Sequence, residues 1–374
     1  MIDFQIRNDV KLLFRNDPVN DLANITKGKR VLFVYGGGSV STNGCKDDIK
    51  NAVSNGKGQL FELPNTSYEL ADIEKGIEFS KEKQIEIIIG AGGAKVMDAA
   101  KLISFGYYHS DLWDYVKEKK SPLGLKRLPL ILIPTYPSSG SEFATGACAV
   151  DSRTKDYGVA LGITSDYSFL VPKYTTFLGP ELTAYSIFVT FVQLSTSVLG
   201  DRNPISYDFG ISVIKNLIKA ANKLKTNPQD LEARGVVLYA ASISTSDWLG
   251  IGREKNYSFY LYEIEYLPEI LFGASYRKSL TVLFPRFLNK IAKYYEDDVR
   301  LYFHDVFNES GTIDELTNRL IQVFTDFGID MYFHGDFSEE KFNEIPIPFI
   351  DCYENSVTSL KKEDVFGIIK DSMK

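Results

Sequence analysis

Pro134-Thr135-Tyr136-Pro137-Ser138-Ser139-Gly140-Ser141-Glu142 follows directly on the apolar run Leu128 to Ile133. Its position decides the fold reading, because two glycine-rich loops precede it, each also placed after an apolar run. Gly36-Gly37-Gly38-Ser39 follows Val31 to Tyr35, and Gly92-Gly93-Ala94-Lys95 follows Ile85 to Ile89. Glycine is required where backbone must approach a pyrophosphate, and a helix N-terminus adds free N–H groups and a positive dipole end. One such loop is more often a plain turn. Three in register, the third carrying small hydroxyls, point to a nucleotide cleft.

At these residues the chain resembles the iron-containing alcohol dehydrogenase family, and its butanol dehydrogenase and aldehyde reductase branch in particular. The branch carries a Gly-Gly-Gly-Ser loop, a later Gly-Gly-Gly-Ser-x-x-Asp-x-x-Lys loop and the motif Thr-x-Pro-x-Thr-Gly-Ser-Glu. Here the second is Gly92 to Lys101, with Lys95 at the Ser position and Asp98 and Lys101 in place, and the third is Thr135 to Glu142, with Ser139 replacing Thr. Val171-Pro172 and Leu178-Gly179-Pro180-Glu181 match further family positions. The resemblance implies NAD or NADP as cofactor, a small alcohol or aldehyde as partner and a homo-oligomer. It places the dinucleotide on Gly36, Gly37, Gly38, Ser39, Gly92, Gly93, Ala94, Lys95, Asp98, Thr135, Ser138 and Ser139, with Lys155 near the nicotinamide.

The family also holds a divalent metal on an Asp, a His four residues later and two further His. Aligned through Pro180 and Ala184, the first pair becomes Val189 and Gln193; aligned back from Pro285, the second becomes Tyr262 and Tyr276. A further family His becomes Tyr266. Iron and zinc need imidazole, carboxylate or thiolate, and neither valine nor a neutral phenol qualifies. The chain's three histidines, His109, His304 and His334, have no ligand partner at i+3 or i+4. The expectation is therefore no iron or zinc. Ser41 stands where the first loop usually has lysine, and Val171 where Asp precedes Pro.

The expected fold class is α/β. Val31–Tyr35, Gly58–Leu63, Ile85–Ile89 and Leu130–Pro134 read as four strands, separated by helical stretches at 46–55, 69–82 and 95–105. Such alternation implies a parallel sheet covered on both faces. Phe143–Val150 and Tyr157–Leu161 read as a hairpin. After Pro180 the pattern changes to long helical periods: 182–199, nearly apolar all round, then 208–225, 228–246, 258–272, 280–295 and 313–327. The expected division is a Rossmann-like dinucleotide-binding domain over 1–179 and an all-helical domain over 180–374, with a cleft outside the carboxyl ends of the strands.

A net charge of −7 argues against nucleic acid or an anionic membrane as a general partner. No run approaches the ~20 apolar residues of a membrane span. Cys45, Cys148 and Cys352 are far apart and odd in number, which suits free thiols in a reducing cytoplasm.

Several residues carry two readings. Asp98 and Lys101 form either a helix-surface ion pair or a cofactor contact. Ser138 and Ser139 are turn residues after Pro137, or cofactor hydroxyls. Tyr262 and Tyr266, one helical turn apart, pack together or line a cleft. The catalytic candidates are Tyr262, Tyr276 and Lys155. A tyrosine can replace the metal by donating a proton to a carbonyl oxygen if a cation such as Lys155 or Arg277 lowers its pKa from ~10. Two functions stay open: an oxidoreductase of the family working without metal, and a non-catalytic nucleotide-binding relative serving as a partner protein.

Overall fold

The central strands carry β-branched and aromatic residues on both faces, so they can sit only in the middle of a covered sheet. The computed structural model describes residues 3–118, 120–154, 156–200, 203–252, 261–262, 264–345 and 360–374. In chain order the first half runs β1 Lys11–Phe14, α1 Val19–Ile25, β2 Arg30–Tyr35, α2 Ser39–Thr42, α3 Cys45–Asn55, β3 Gln59–Leu63, α4 Leu70–Glu82, β4 Ile87–Gly92, α5 Ala94–Gly106 and α6 Leu112–Lys117. It continues with β5 Leu130–Pro134, β6 Gly146–Asp151, β7 Asp156–Leu161 and β8 Tyr167–Leu170. Then come α7 Pro180–Val198, α8 Pro204–Thr226, α9 Leu231–Ser244, α10 Leu267–Phe272, α11 Tyr276–Phe307, α12 Ile313–Asp326, α13 Glu339–Asn343 and α14 Lys362–Lys370.

The sheet has six parallel strands in the order β1-β8-β5-β4-β2-β3. Alternation divides its side chains between two cores. Val31, Phe33 and Tyr35 pack with α1 and α3, while Leu32 and Val34 face the opposite way, toward α4 and α5. β6 and β7 pair antiparallel, as the hairpin reading expects. Two strands escaped the sequence reading. β1 and β8 are only four residues each, too short for a periodic signal, and they extend the sheet beyond β5.

Two compact units emerge, one of residues 7–179 and 227–246, the other of 1–6, 180–226 and 247–374. The sequence reading ran the helical domain unbroken from residue 180, whereas α9 packs with the sheet. The reason is polar. Arg234 on α9 donates to the carbonyls of Thr175 and Pro228 at 2.6 and 2.7 Å. No Cβ would fit at Gly235, where the Phe14 ring lies 2.7 Å from its place.

The other unit is helical. α7 is buried almost continuously from Ala184 to Thr196, as its apolar sequence requires. The single helix expected over 258–272 is not found: 258–260 and 263 lie outside the described residues, and a turn at Glu265 and Tyr266 separates the helical residues before it from α10. Among the described residues no helix is long and apolar enough to cross a membrane.

Candidate functional site

The three loops leave the carboxyl ends of neighbouring strands. Tyr35 pairs with Ala91 and Gly92 with Pro134, so the loops after β2, β4 and β5 begin side by side. The chain passes from β2 outward to β3 and returns to place β4 on the other side of β2. That reversal opens a crevice between the first two loops, the place where open α/β sheets take ligands.

Within the crevice the glycines leave room. A Cβ at Gly37 or Gly38 would meet nothing within 4 Å, and one at Gly93 only the Tyr136 Cβ at 3.8 Å. Gly93 caps the thirteen-residue α5, whose first free N–H groups face the same end. The loop after β2 leads to the helix expected over 46–55 through one short additional turn. Ser39–Thr42 form a single turn, and the longer α3 starts only after Gly44.

Ser138 and Ser139 are half-exposed, and Thr135 is buried with its N–H bonded to the Gly92 carbonyl at 2.9 Å. Lys95 is exposed, its Nζ 4.9 Å from the Tyr68 ring centroid. Lys155 lies outside the described residues.

Asp98 and Lys101 do not form the surface ion pair that one reading allowed. Both are buried, because α5 is covered along nearly its whole length. Asp98 accepts from Ser141 Oγ and from the Cys148 N–H, and Lys101 Nζ donates to the Ala144 and Gly146 carbonyls at 3.0 and 2.8 Å. Asp98 thus holds the third loop from beneath. Glu142 is buried as well, accepting from Ser242 Oγ at 2.6 Å. Its carbonyl accepts from Ser165 and Ser168. Burial pushes the Asp98 and Glu142 carboxyls up and the Lys101 ammonium down, with each charge opposing the shift of its neighbours.

Ser242 and Thr245, and the burial of Glu142, escaped the sequence reading. The motif quotes Glu142 without a partner, and the partners come from a helix about 100 residues away that no spacing connects to it.

The residues aligned with metal ligands occupy the helical unit. Val189 and Gln193 sit one turn apart on α7, 1% and 2% exposed. Gln193 Nε2 donates to Tyr276 Oη at 3.5 Å, and Tyr276 is 42% exposed. Tyr262 shares a hydrogen bond with Thr196, one turn beyond Gln193, and burial drives its phenol pKa upward, with Glu265 adding to the rise. Arg277 lies over the Tyr185 ring, 5.3 Å from its centroid. Glu265 is pushed up to about 8, by burial first and then by Glu269. Its carboxyl is therefore largely protonated at neutral pH, a consequence of burial that no residue spacing reveals.

Among the described residues no group of three or more His, Cys, Asp or Glu converges as a metal requires. The histidines have other roles: His109 stacks on Phe105 with ring centroids 4.0 Å apart, His304 meets Asp305, and His334 meets Asp330, a carboxylate four residues before it that the forward spacing of i+3 and i+4 passed over.

Comparison with known proteins places this arrangement. The sequence model of the iron-containing alcohol dehydrogenase family matches residues 10–174. The probable NADH-dependent butanol dehydrogenase 1 of Bacillus subtilis is 26% identical over 401 aligned positions, covering 100% of both chains. The NADPH-dependent aldehyde reductase YqhD of Escherichia coli is 24% identical, over 87% of this chain and 86% of its own. Among solved structures, the NADH-dependent butanol dehydrogenase A of Thermotoga maritima superposes with a TM-score of 0.85 at 22% identity, over 100% of this chain and 99% of that one. The sulfoacetaldehyde reductase of Bifidobacterium kashiwanohense, in complex with NAD+, gives 0.82 at 14% identity, with the same coverage.

Proposed function

Because the chain belongs to the iron-containing alcohol dehydrogenase family, we propose that it binds a nicotinamide dinucleotide on its sheet unit and turns over small alcohols or aldehydes slowly, without the family's metal. The relatives' names carry the substrate class and the cofactor. The crevice fits the cofactor: open space at Gly37, Gly38 and Gly93 lets backbone approach a pyrophosphate, and the α5 N-terminus favours its charge. Ser138 and Ser139 orient it through their hydroxyls. When bound, the nicotinamide supplies or accepts the hydride.

The metal does not fit. Val189 has no donor, Gln193 offers a neutral amide, and a phenol must lose its proton to ligate well. Two of these four positions also hydrogen-bond each other, Gln193 to Tyr276, and this contact is the observation that carries the reading. Loss of Lewis-acid help costs several kcal/mol, so turnover falls by roughly two to three powers of ten.

A proton source is then needed at the substrate oxygen. Tyr262 suits this poorly, since its pKa moves away from neutrality and Arg277 is engaged with Tyr185. That favours a second reading, a non-catalytic dinucleotide-binding partner protein. Glu265, protonated near pH 7, favours residual catalysis. Titration with NADH and NADPH, metal analysis of the native protein and aldehyde turnover with and without added iron or zinc test both. Dinucleotide binding, no stoichiometric metal and slow turnover indifferent to metal support the first reading; binding with no turnover supports the second. Stoichiometric iron or zinc lost together with activity in Tyr262→Phe overturns both.

A further inference from the structure

The helical unit holds a partly open, mainly apolar cavity of about 240 Å³ between α7, α8, the end of α11 and α12. Its wall is aromatic. Phe324 lies with its ring centroid 4.3 Å from that of Phe188 and 5.8 Å from that of Phe191, and Phe327 closes on Phe188 at 5.0 Å. Leu217 and Ala221 of α8 complete the opposite side. A cavity of about 150 Å³ with such a lining stays dry and takes benzene, so this one has room for a chain of roughly eight carbons.

It is separate from the positions aligned with metal ligands. At about 100° per residue, Ile187, Phe188 and Phe191 share one face of α7 while Val189 and Gln193 share the opposite face.

The rim is polar, formed by Asn222, Lys225 and Asp326. Asp326 already accepts from Gln322 Nε2 at 2.7 Å. Lys225 is exposed, its Nζ stands 4.8 Å from the Phe327 ring centroid, and among the described residues no carboxylate lies within ion-pair distance of it. The ammonium at the mouth rests against a ring and, among the described residues, donates no hydrogen bond, whereas the carboxylate is held by the Gln322 amide.

We propose that this cavity binds a single-chain carboxylate of medium length, its alkyl chain among the phenylalanines and its head group on Lys225. The proposal is independent of dinucleotide binding. A charge-assisted hydrogen bond to an ammonium exceeds a neutral one about twofold in strength, so the carboxylate is preferred over the matching alcohol.

Octanoate and 1-octanol, titrated into the full chain by calorimetry, test it. The expected result is saturable 1:1 binding of octanoate, about two- to fivefold tighter than 1-octanol. Lys225→Met, at the exposed rim, is expected to remove that preference while leaving 1-octanol unchanged. Ala221→Phe fills the cavity and is expected to abolish binding of both; if it fails to fold by near-UV circular dichroism, Ala221→Val is read instead, with binding weakened. Absence of saturable octanoate binding, equal affinity for the two probes, or unaltered binding in the folded cavity variant overturns the proposal.

Discussion

Ser242 Oγ donates a 2.6 Å hydrogen bond to Glu142 Oε1 and thereby joins α9 to the end of the third glycine-containing loop. The join continues on both sides. Thr245 Oγ1 donates to the Ser139 carbonyl at 2.8 Å, and Asp98 accepts from Ser141 below. The loop that follows β5 is therefore held by its own sheet, by α5 and by a helix that enters the sheet unit from far along the chain.

Removing one end of the join exposes its worth. In Ser242→Ala the buried Glu142 carboxyl loses its side-chain donor, at a cost of about 1–3 kcal/mol. For a compact unit of this size that corresponds to a fall in Tm of roughly 2–12 °C, measurable by scanning calorimetry. An unchanged Tm would mean that the bond contributes nothing.

Gly140 is the tight point of the same loop. Its φ is +63°, and an added Cβ would overlap the Ala241 carbonyl oxygen and Thr245 Oγ1. A backbone oxygen cannot swing aside as a side-chain tip can. Gly140→Ala is expected to destabilise by about 2–4 kcal/mol, combining the left-handed conformation with the displacement of α9. Thermal unfolding checks this, and a loss under about 0.5 kcal/mol contradicts the packing.

What the sequence revealed follows the range of the forces involved. The strands β2, β4 and β5 and their loops were legible because a buried parallel strand must be apolar on both faces and its turn must be glycine-rich. The buried setting of Asp98 and Lys101 was not, since an i, i+3 pair of opposite charge looks the same on a surface as under a hairpin. Nor was the seat of α9. Helical periodicity marks an apolar face but not which layer receives it, and the polar ties of Arg234 and Ser242 connect residues 59 and 100 positions apart.

Gly93 separates binding from stability. Its Cβ position has no neighbour nearer than 3.8 Å, so Gly93→Val loses little beyond the N-cap preference for glycine and is expected to lower Tm by at most about 4 °C. The same side chain stands where a pyrophosphate must approach the α5 N-terminus. Dinucleotide affinity is expected to fall beyond detection by fluorescence titration. Unchanged affinity in this variant would move the dinucleotide off the loop.

Glu265 links the helical unit to pH. Its carboxyl is raised from 4.5 to about 8, by burial and then by Glu269, so the folded protein holds a proton there that the unfolded chain releases. The contribution is fully present below pH ~4.5 and is lost as pH rises through about 8, the window between unfolded and folded values. For a group that is only half-buried, the change across that window is about 2–4 kcal/mol. Glu265→Gln keeps the shape and stays neutral, so its stability is expected to remain flat between pH 5 and 9 where the native protein declines. Denaturant unfolding at several pH values checks this, and parallel slopes for the two proteins would remove Glu265 as the titrating group. Should aldehyde turnover be found, its loss above pH ~8 in the native protein, and its absence at every pH in Glu265→Gln, would assign the proton to this carboxyl.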